Sequence, residues 1–132
     1  MGMMPMLLLD SQTALWLLDD NPRLGEHARR MISSATEVYV SAATIWELTI
    51  KAMLGKLKIP ADFTELIGTQ GLAVLDVTGE HAEGIREFPE LVRHDPFDRL
   101  IIAQAQVEML RLLTADRVLL GLNRSFVVDS TQ

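Results

Sequence analysis

Four acidic residues occupy positions where a carboxylate could do chemistry. Asp10 and Asp116 directly follow short apolar segments. Glu47 lies in the middle of a long apolar segment, and Asp98 lies in the first turn of a predicted helix. Four carboxylates that converge in one crevice repel one another, and their oxygen atoms select hard cations such as Mg²⁺ or Mn²⁺ over zinc or copper. A cluster of this kind is suited to metal-assisted phosphodiester hydrolysis.

Three of the four acids also have an ordinary structural explanation. Asp10 and Asp116 fit the cap position between a strand and a helix. Asp95, Pro96 and Asp98 fit an N-cap, N1 and N3 arrangement, which resembles a capping box with Asp in place of the usual Glu. Capping alone would account for these residues, so at this point both explanations stay open.

Glu47 is the acid that separates the two explanations, because capping cannot account for an acid in the middle of a helix. It shares a predicted helix face with Ala43, Ile50 and Leu54. An unpaired carboxylate buried there would cost several kcal/mol, against a total stability of about 5–15 kcal/mol. Glu47 therefore needs a partner, which could be a cation, a hydrogen-bond network or water in a cleft. The ordinary alternative is an ion pair with Lys51, one turn along the helix.

The elements that must position these acids alternate between strand and helix. Short apolar runs predict five strands, at Met6–Leu9, Val38–Val40, Ala73–Leu75, Arg111–Thr114 and Phe126–Val128. Helical spacing and caps predict helices at Ser11–Leu18, Gly25–Ser34, Ser41–Leu54, Phe63–Gly68, Thr78–Phe88, Asp95–Met109 and Asp116–Leu122. This alternation predicts an α/β fold with a mainly parallel sheet covered on both faces. In such sheets, sites form beyond the carboxyl ends of the strands, where Asp10 and Asp116 lie.

Length and composition predict a single domain over residues 1–132. The 132 residues are 48% hydrophobic and 23% charged, which is typical of a globular chain with one core. The absence of cysteine excludes a disulfide scaffold, a thiolate nucleophile and a thiolate-ligated metal. The apolar run at Met6–Leu9 stops at Asp10, far short of the ~20 residues that cross a bilayer. We therefore expect a cytoplasmic protein with no membrane partner.

The charge balance excludes a generic basic nucleic-acid binder. The chain has 18 acids and 12 bases, which give a net charge of −6. Without the four candidate acids, 14 acids face 12 bases, so the remaining surface is nearly neutral. Lys51, Arg93 and Arg99 lie near the candidate acids in sequence, and they could contact RNA phosphates beside a site.

Four stretches of the chain resemble a known family in the family's order. They are Leu7–Ser11 (LLLDS), Ser41–Leu48 (SAATIWEL), Asp95–Ala105 (DPFDRLIIAQA) and Leu113–Asp116 (LTAD). On these stretches the chain resembles PIN-domain proteins of the VapC-like toxin group from bacterial toxin–antitoxin pairs. The resemblance implies a three-layer sandwich, binding of one or two Mg²⁺ or Mn²⁺ ions, and endoribonuclease activity by metal-activated water. It also implies a cognate antitoxin partner, an RNA substrate and a homodimer.

The resemblance also assigns roles to individual residues. The family's catalytic, metal-holding acidic quartet matches Asp10, Glu47, Asp98 and Asp116. Ser11 and Thr114 match positions where a hydroxyl supports the metal site, and Asp95 matches an additional acid. One departure is the order Arg93-His94, which is more often reversed before this motif, and it leaves the role of His94 open.

Other functions are weighed against this one. The first alternative is a catalytically silent PIN-like module that binds RNA or a protein partner, which the intact quartet disfavours. A zinc hydrolase is disfavoured because His27, His81 and His94 lack ligand spacing. An aromatic platform for single strands is disfavoured because the aromatic residues, Trp16 and Trp46 among them, fall in core-like positions.

Overall fold

The computed structural model describes residues 6–132, so residues 1–5 of the predicted single domain lie outside the described part. Five strands form one sheet: β1 (Met6–Leu9), β2 (Glu37–Ser41), β3 (Ala73–Leu75), β4 (Arg111–Thr114) and β5 (Val127–Asp129). All neighbouring strands are parallel, in the order β3-β2-β1-β4-β5. The predicted strands are confirmed, with shifts of one residue at the ends of β2 and β5.

Helices connect the strands in the order that the sequence predicts. They are α1 (Ser11–Leu18), α2 (Glu26–Ser34), α3 (Ala42–Met53), α4 (Phe63–Thr69), α5 (Gly79–Gly84), α6 (Pro96–Val107) and α7 (Arg117–Gly121). None of the helices within residues 6–132 has the length and apolar character needed to span a membrane.

The predicted helix from Thr78 to Phe88 is wrong in its second half. Thr78 caps α5 as expected, but α5 ends at Gly84 and is followed by two 3₁₀ turns. Pro89 explains the break, because a proline disfavours helical backbone in the residue before it, and Phe88 has φ −126° and ψ 62°. α6 similarly ends two residues before Met109, whose φ of 55° is outside the helical region.

Both faces of the sheet are buried. Leu7 and Leu9 of β1 pack into a core with α1 to α4, whereas Leu8 packs into a second core with α6 and α7. All three leucines are fully buried, because the central strand of a sheet covered on both faces has no solvent-facing side. The predicted α/β three-layer sandwich with a parallel sheet is therefore confirmed.

The strand order places the ends of β1 and β4 side by side. From β1 the chain passes to β2 and β3 on one side, then crosses to β4 and β5 on the other side. Ligand sites in open parallel sheets form at such a switch point, beyond the carboxyl ends of the strands. Asp10 directly follows β1, and its amide donates a hydrogen bond to the carbonyl of Leu113 at 3.1 Å. The fold thus presents the Asp10 and Asp116 regions at one edge of the sheet.

Candidate metal centre

The Asp10 side chain is held by two hydroxyl-bearing residues. It caps α1 by accepting a hydrogen bond from the Thr13 amide at Oδ1, at 2.8 Å. Its Oδ2 accepts a hydrogen bond from the Thr114 hydroxyl at 2.5 Å. Asp10 is only 5% exposed, and this burial raises the pKa of its carboxyl although the hydrogen bonds from Thr114 and Thr13 act in the opposite direction. The capping explanation is therefore correct for Asp10, and it coexists with a position at the edge of the sheet.

Glu47 has two partners and is 8% exposed. The Ser11 hydroxyl donates a hydrogen bond to Oε1 at 2.5 Å, and the Lys51 Nζ donates to Oε2 at 3.0 Å. The ion pair with Lys51 is thus present, as the ordinary alternative predicted. The partner that sequence spacing does not reveal is Ser11, which ties α3 to the start of α1.

Asp98 and Asp116 converge on His94. The His94 Nε2 lies 3.3 Å from the Oδ2 of Asp98 and 3.3 Å from the Oδ2 of Asp116. Asp116 caps α7 with its other oxygen, which accepts from the amides of Val118 at 2.8 Å and Leu119 at 3.2 Å. Each acid therefore directs one carboxylate oxygen towards the same imidazole.

The two acids have opposite pKa shifts. Burial, a hydrogen bond with Asp116 and charge repulsion from Asp116 together raise the pKa of Asp98 to about 8. Burial also acts to raise the pKa of Asp116, but its hydrogen bonds from the Leu119 amide and from Asp98 outweigh burial and lower it. The fold therefore favours the neutral form of Asp98 and the charged form of Asp116.

One cleft of about 460 Å³ collects all four candidate acids. It is lined by Asp10, Ser11, Gln12, Leu15, Trp16, Glu47, Leu48, Lys51, Lys56, Leu57, Asp98, Ala115 and Asp116. The structure therefore brings together the acidic quartet and Ser11, which the family resemblance selects, and Lys51, which lies near Glu47 in sequence. Thr114 is fully buried, and it accepts a hydrogen bond from the Asp116 amide at 3.0 Å while donating to Asp10.

Besides Thr114, three predicted site residues lie outside the lining of this cleft. Asp95 is exposed, and its Oδ1 accepts hydrogen bonds from the amides of Phe97 at 2.8 Å and Asp98 at 3.3 Å. It therefore fixes the start of α6 and, with it, the position of Asp98. Arg93 is exposed, and Arg99 donates a hydrogen bond to the carbonyl of Val92 at 3.1 Å. Contact of these two arginines with RNA stays a prediction.

Two residues of this region, His94 and Lys56, were not among the predicted site residues. His94 precedes the cap of α6, so helical periodicity does not apply to it, although its spacing of four from Asp98 was visible. Gly55, just after α3, adopts a left-handed backbone with φ 73°, and the chain turns there. The Lys56 amide donates a hydrogen bond to the carbonyl of Lys51 at 2.9 Å, and Lys56 lines the cleft. A glycine just after a helix is the sequence signal for such a turn.

The residues of the cleft fit a divalent cation. Carboxylate oxygens are the ligands that Mg²⁺ and Mn²⁺ prefer. Burial raises the pKa of both Asp10 and Asp98, and charge repulsion from Asp116, Asp95 and Asp10 also raises that of Asp98, so the region around Asp98 is short of positive charge. A bound cation would favour their charged forms, because an opposite charge stabilises a carboxylate.

The chain belongs to the PIN domain family, because the sequence model of that family matches residues 7–123. No curated protein matches the sequence. Solved structures resemble it over nearly its whole length.

One such structure is the DNA-bound VapBC of Salmonella typhimurium, with 25% identity, a TM-score of 0.65, and coverage of 96% of this chain and 98% of that one. Another is VapBC2 of Rickettsia felis bound to a promoter DNA fragment, with 15% identity, a TM-score of 0.69, and coverage of 94% and 98%. A toxin–antitoxin complex of Klebsiella pneumoniae has 15% identity, a TM-score of 0.65, and coverage of 94% and 97%. The predicted resemblance to VapC-like PIN domains is thereby confirmed.

Proposed function

We propose that the chain is a metal-dependent endoribonuclease that acts as the toxin of a toxin–antitoxin pair. The observation that carries this proposal is the convergence of Asp10, Glu47, Asp98 and Asp116 on one cleft of a PIN domain. The cleft lies where parallel sheets build their sites. Its carboxyl groups repel one another when no cation is present, and the chain contains no cysteine that could serve instead as a nucleophile.

One or two Mg²⁺ or Mn²⁺ ions would be held by the four acids, directly or through water. When bound, such an ion lowers the pKa of a water molecule and stabilises charge on the phosphate, which is the chemistry of phosphodiester hydrolysis. Asp10 offers a fixed ligand, because Thr13 and Thr114 hold both of its oxygens in place. Asp98 and Asp116 offer their Oδ2 atoms, each of which lies 3.3 Å from the His94 Nε2.

The remaining polar residues of the cleft would position these ligands and the substrate. Ser11 holds the Glu47 carboxylate through a bond of 2.5 Å, and Thr114 links Asp10 to the backbone of Asp116. Lys51 and Lys56 are the cations that line the cleft, so they are placed to contact the phosphates that flank the scissile bond.

The proposal includes an antitoxin partner and a homodimer. Its support is the likeness to chains from three toxin–antitoxin complexes and an exposed apolar surface on α3. Trp46 is 62% exposed, and Met53 and Leu54 are also exposed. Clustered exposed apolar side chains are typical of protein interfaces. A single monomeric mass in light scattering at all concentrations would contradict the homodimer.

The test of the nuclease is cleavage of a mixed RNA pool by the purified, antitoxin-free chain, with Mg²⁺ or Mn²⁺ against EDTA. Asp10→Asn and Glu47→Gln should abolish cleavage. Asp62→Asn and Glu65→Gln remove the same charges from exposed positions outside the cleft and should leave cleavage unchanged. Cleavage that survives EDTA, or that Asp10→Asn leaves intact, would contradict the proposal. Metal binding without any cleavage would favour a silent PIN module.

A further inference from the structure

His94 lies between two acids of the cleft. Its Nε2 is 3.3 Å from one oxygen of Asp98 and 3.3 Å from one oxygen of Asp116. Among the described residues, these three side chains are the group of metal-ligating type whose donor atoms all lie within 4.8 Å of one another. His94 and Asp98 are four residues apart, whereas Asp116 comes from the cap of α7, so the fold brings the third member to a pair that is close in sequence.

The spacing of these atoms suits a shared cation. Metal–ligand bonds to imidazole nitrogen and carboxylate oxygen are about 2.0–2.2 Å long. Neighbouring ligands are then about 3.0 Å apart in an octahedron and about 3.4 Å apart in a tetrahedron. The two observed separations of 3.3 Å fall between these values, so a cation could contact the imidazole and either oxygen with small movements.

The backbone on either side of His94 is fixed. The His94 amide donates a hydrogen bond to the carbonyl of Leu91 at 2.9 Å, and Leu91 is fully buried. The next residue, Asp95, caps α6 through two amides. The imidazole is half-buried, with 23% of its side chain exposed, so its position is defined by the fold while a cation can still reach it.

We propose that His94 is a nitrogen ligand of the divalent cation in this cleft and that it shifts the preference of the site from Mg²⁺ towards Mn²⁺ and Co²⁺. This inference rests on the proposed metal-dependent function. Its chemical basis is that imidazole suits transition metals, whereas Mg²⁺ is bound through oxygen. The order Arg93-His94 in this chain is what brings an imidazole to this position.

The test measures binding of the metals themselves by calorimetry, without RNA. His94→Gln keeps a side chain of similar reach but replaces the nitrogen by an amide oxygen. We expect it to weaken Co²⁺ binding by about tenfold or more, to weaken Mn²⁺ binding less, and to change Mg²⁺ binding by less than about threefold. The visible absorption of bound Co²⁺ should change as well. His27→Gln, at an exposed position on α2, is the matched control and should change nothing.

Two results would overturn the inference: an unchanged Co²⁺ to Mg²⁺ ratio in His94→Gln, or an equal loss for all three metals, which would indicate a merely structural role. His94→Asn, checked by circular dichroism, repeats the test if the first variant unfolds. The outcome is independent of the nuclease assay. Selective loss of Co²⁺ binding in a chain that cuts no RNA would support the role of His94, whereas unchanged selectivity in an active nuclease would refute it.

Discussion

On the Asp10 side of the cleft, which also holds Glu47, the protein itself supplies partners for both carboxylates. Hydroxyl, amide and ammonium donors occupy all four oxygens at 2.5–3.0 Å. On the Asp98 side, which also holds Asp116, the two Oδ2 atoms share one imidazole at 3.3 Å. Protein donors thus stabilise the carboxylates on the Asp10 side, whereas the carboxyl groups on the Asp98 side are short of positive charge.

This difference indicates that the two sides of the cleft have different roles in metal binding. A carboxylate whose oxygens are already bonded is fixed in position and offers a ligand at a defined place. A carboxyl group with a pKa near 8, as in Asp98, gains most from the arrival of a cation. We therefore expect Asp10 and Glu47 to determine where the metal lies. We expect Asp98 and Asp116 to determine how much bound metal raises the free energy of unfolding.

The largest expected effect is the loss of RNA cleavage when the Asp10 carboxylate is removed. Asp10→Asn removes the charge but keeps the shape, and we expect the RNA cleavage rate to fall about a thousandfold, which corresponds to roughly 4 kcal/mol of transition-state stabilisation. Single-turnover cleavage with saturating Mg²⁺ measures this change, with Asp62→Asn as the control. A loss below tenfold would mean that Asp10 only caps α1.

The second largest expected effect is the stabilisation of the folded chain by bound metal. Mg²⁺ or Mn²⁺ at about a hundred times its dissociation constant should raise the free energy of unfolding by about 2.7 kcal/mol. Thermal unfolding with and without EDTA measures it. Asp98→Asn should reduce this gain clearly, whereas Glu65→Gln should not. A melting curve that is indifferent to both metals would contradict a preformed site.

A third prediction tests whether the Asp10 side is held by its hydroxyls. Thr114→Val leaves one buried oxygen of Asp10 without its donor, and we expect a loss of about 2 kcal/mol in the free energy of unfolding. Thr49→Val is the matched control, because Thr49 is exposed and bonds to the helix carbonyl of Ile45. Urea unfolding of both variants checks this, and equal losses would contradict the role of Thr114.

The smallest expected effect is a pH-dependent difference in the free energy of unfolding between wild type and Asp98→Asn. The pKa of Asp98 is raised in the folded state, so the stabilising contribution of its neutral form is complete below about pH 4 and disappears as the pH rises through about 8. Without metal, Asp98→Asn should therefore be more stable than wild type at pH 8–9, by roughly 1 kcal/mol, and similar to it near pH 4. Denaturant unfolding at both pH values in EDTA measures this; greater stability of the wild type at pH 9 would refute it.

Much of the fold could be predicted from the sequence because its strands are continuous apolar runs. β1, β3 and β4 have the predicted bounds, because each contains a short apolar run, and the leucines of β1 and β4 are buried on both faces of the sheet. The error after α5 came from Pro89, whose effect on Phe88 competes with helical periodicity.

The candidate site could be predicted only in part. The resemblance selected the four acids, but the hydrogen bond between Ser11 and Glu47 depends on long-range packing, because the two residues are 36 positions apart. Trp46 was expected in a core-like position, yet it is 62% exposed and packs edge-to-face on Phe97 at 5.3 Å. The apolar character of a residue does not tell which side of a helix the fold leaves open.

The hydrogen bond from Thr114 to Asp10 spans 104 residues of sequence and joins the first strand to the fourth. During synthesis the chain emerges with its N-terminal part first, so Asp10 leaves the ribosome long before Thr114 and Asp116 do. The acids on the two sides of the cleft can meet only after β4 has paired with β1. Under the proposed function, the chain would have no complete cleft, and so would not cut RNA, until β4 has been synthesised and paired with β1.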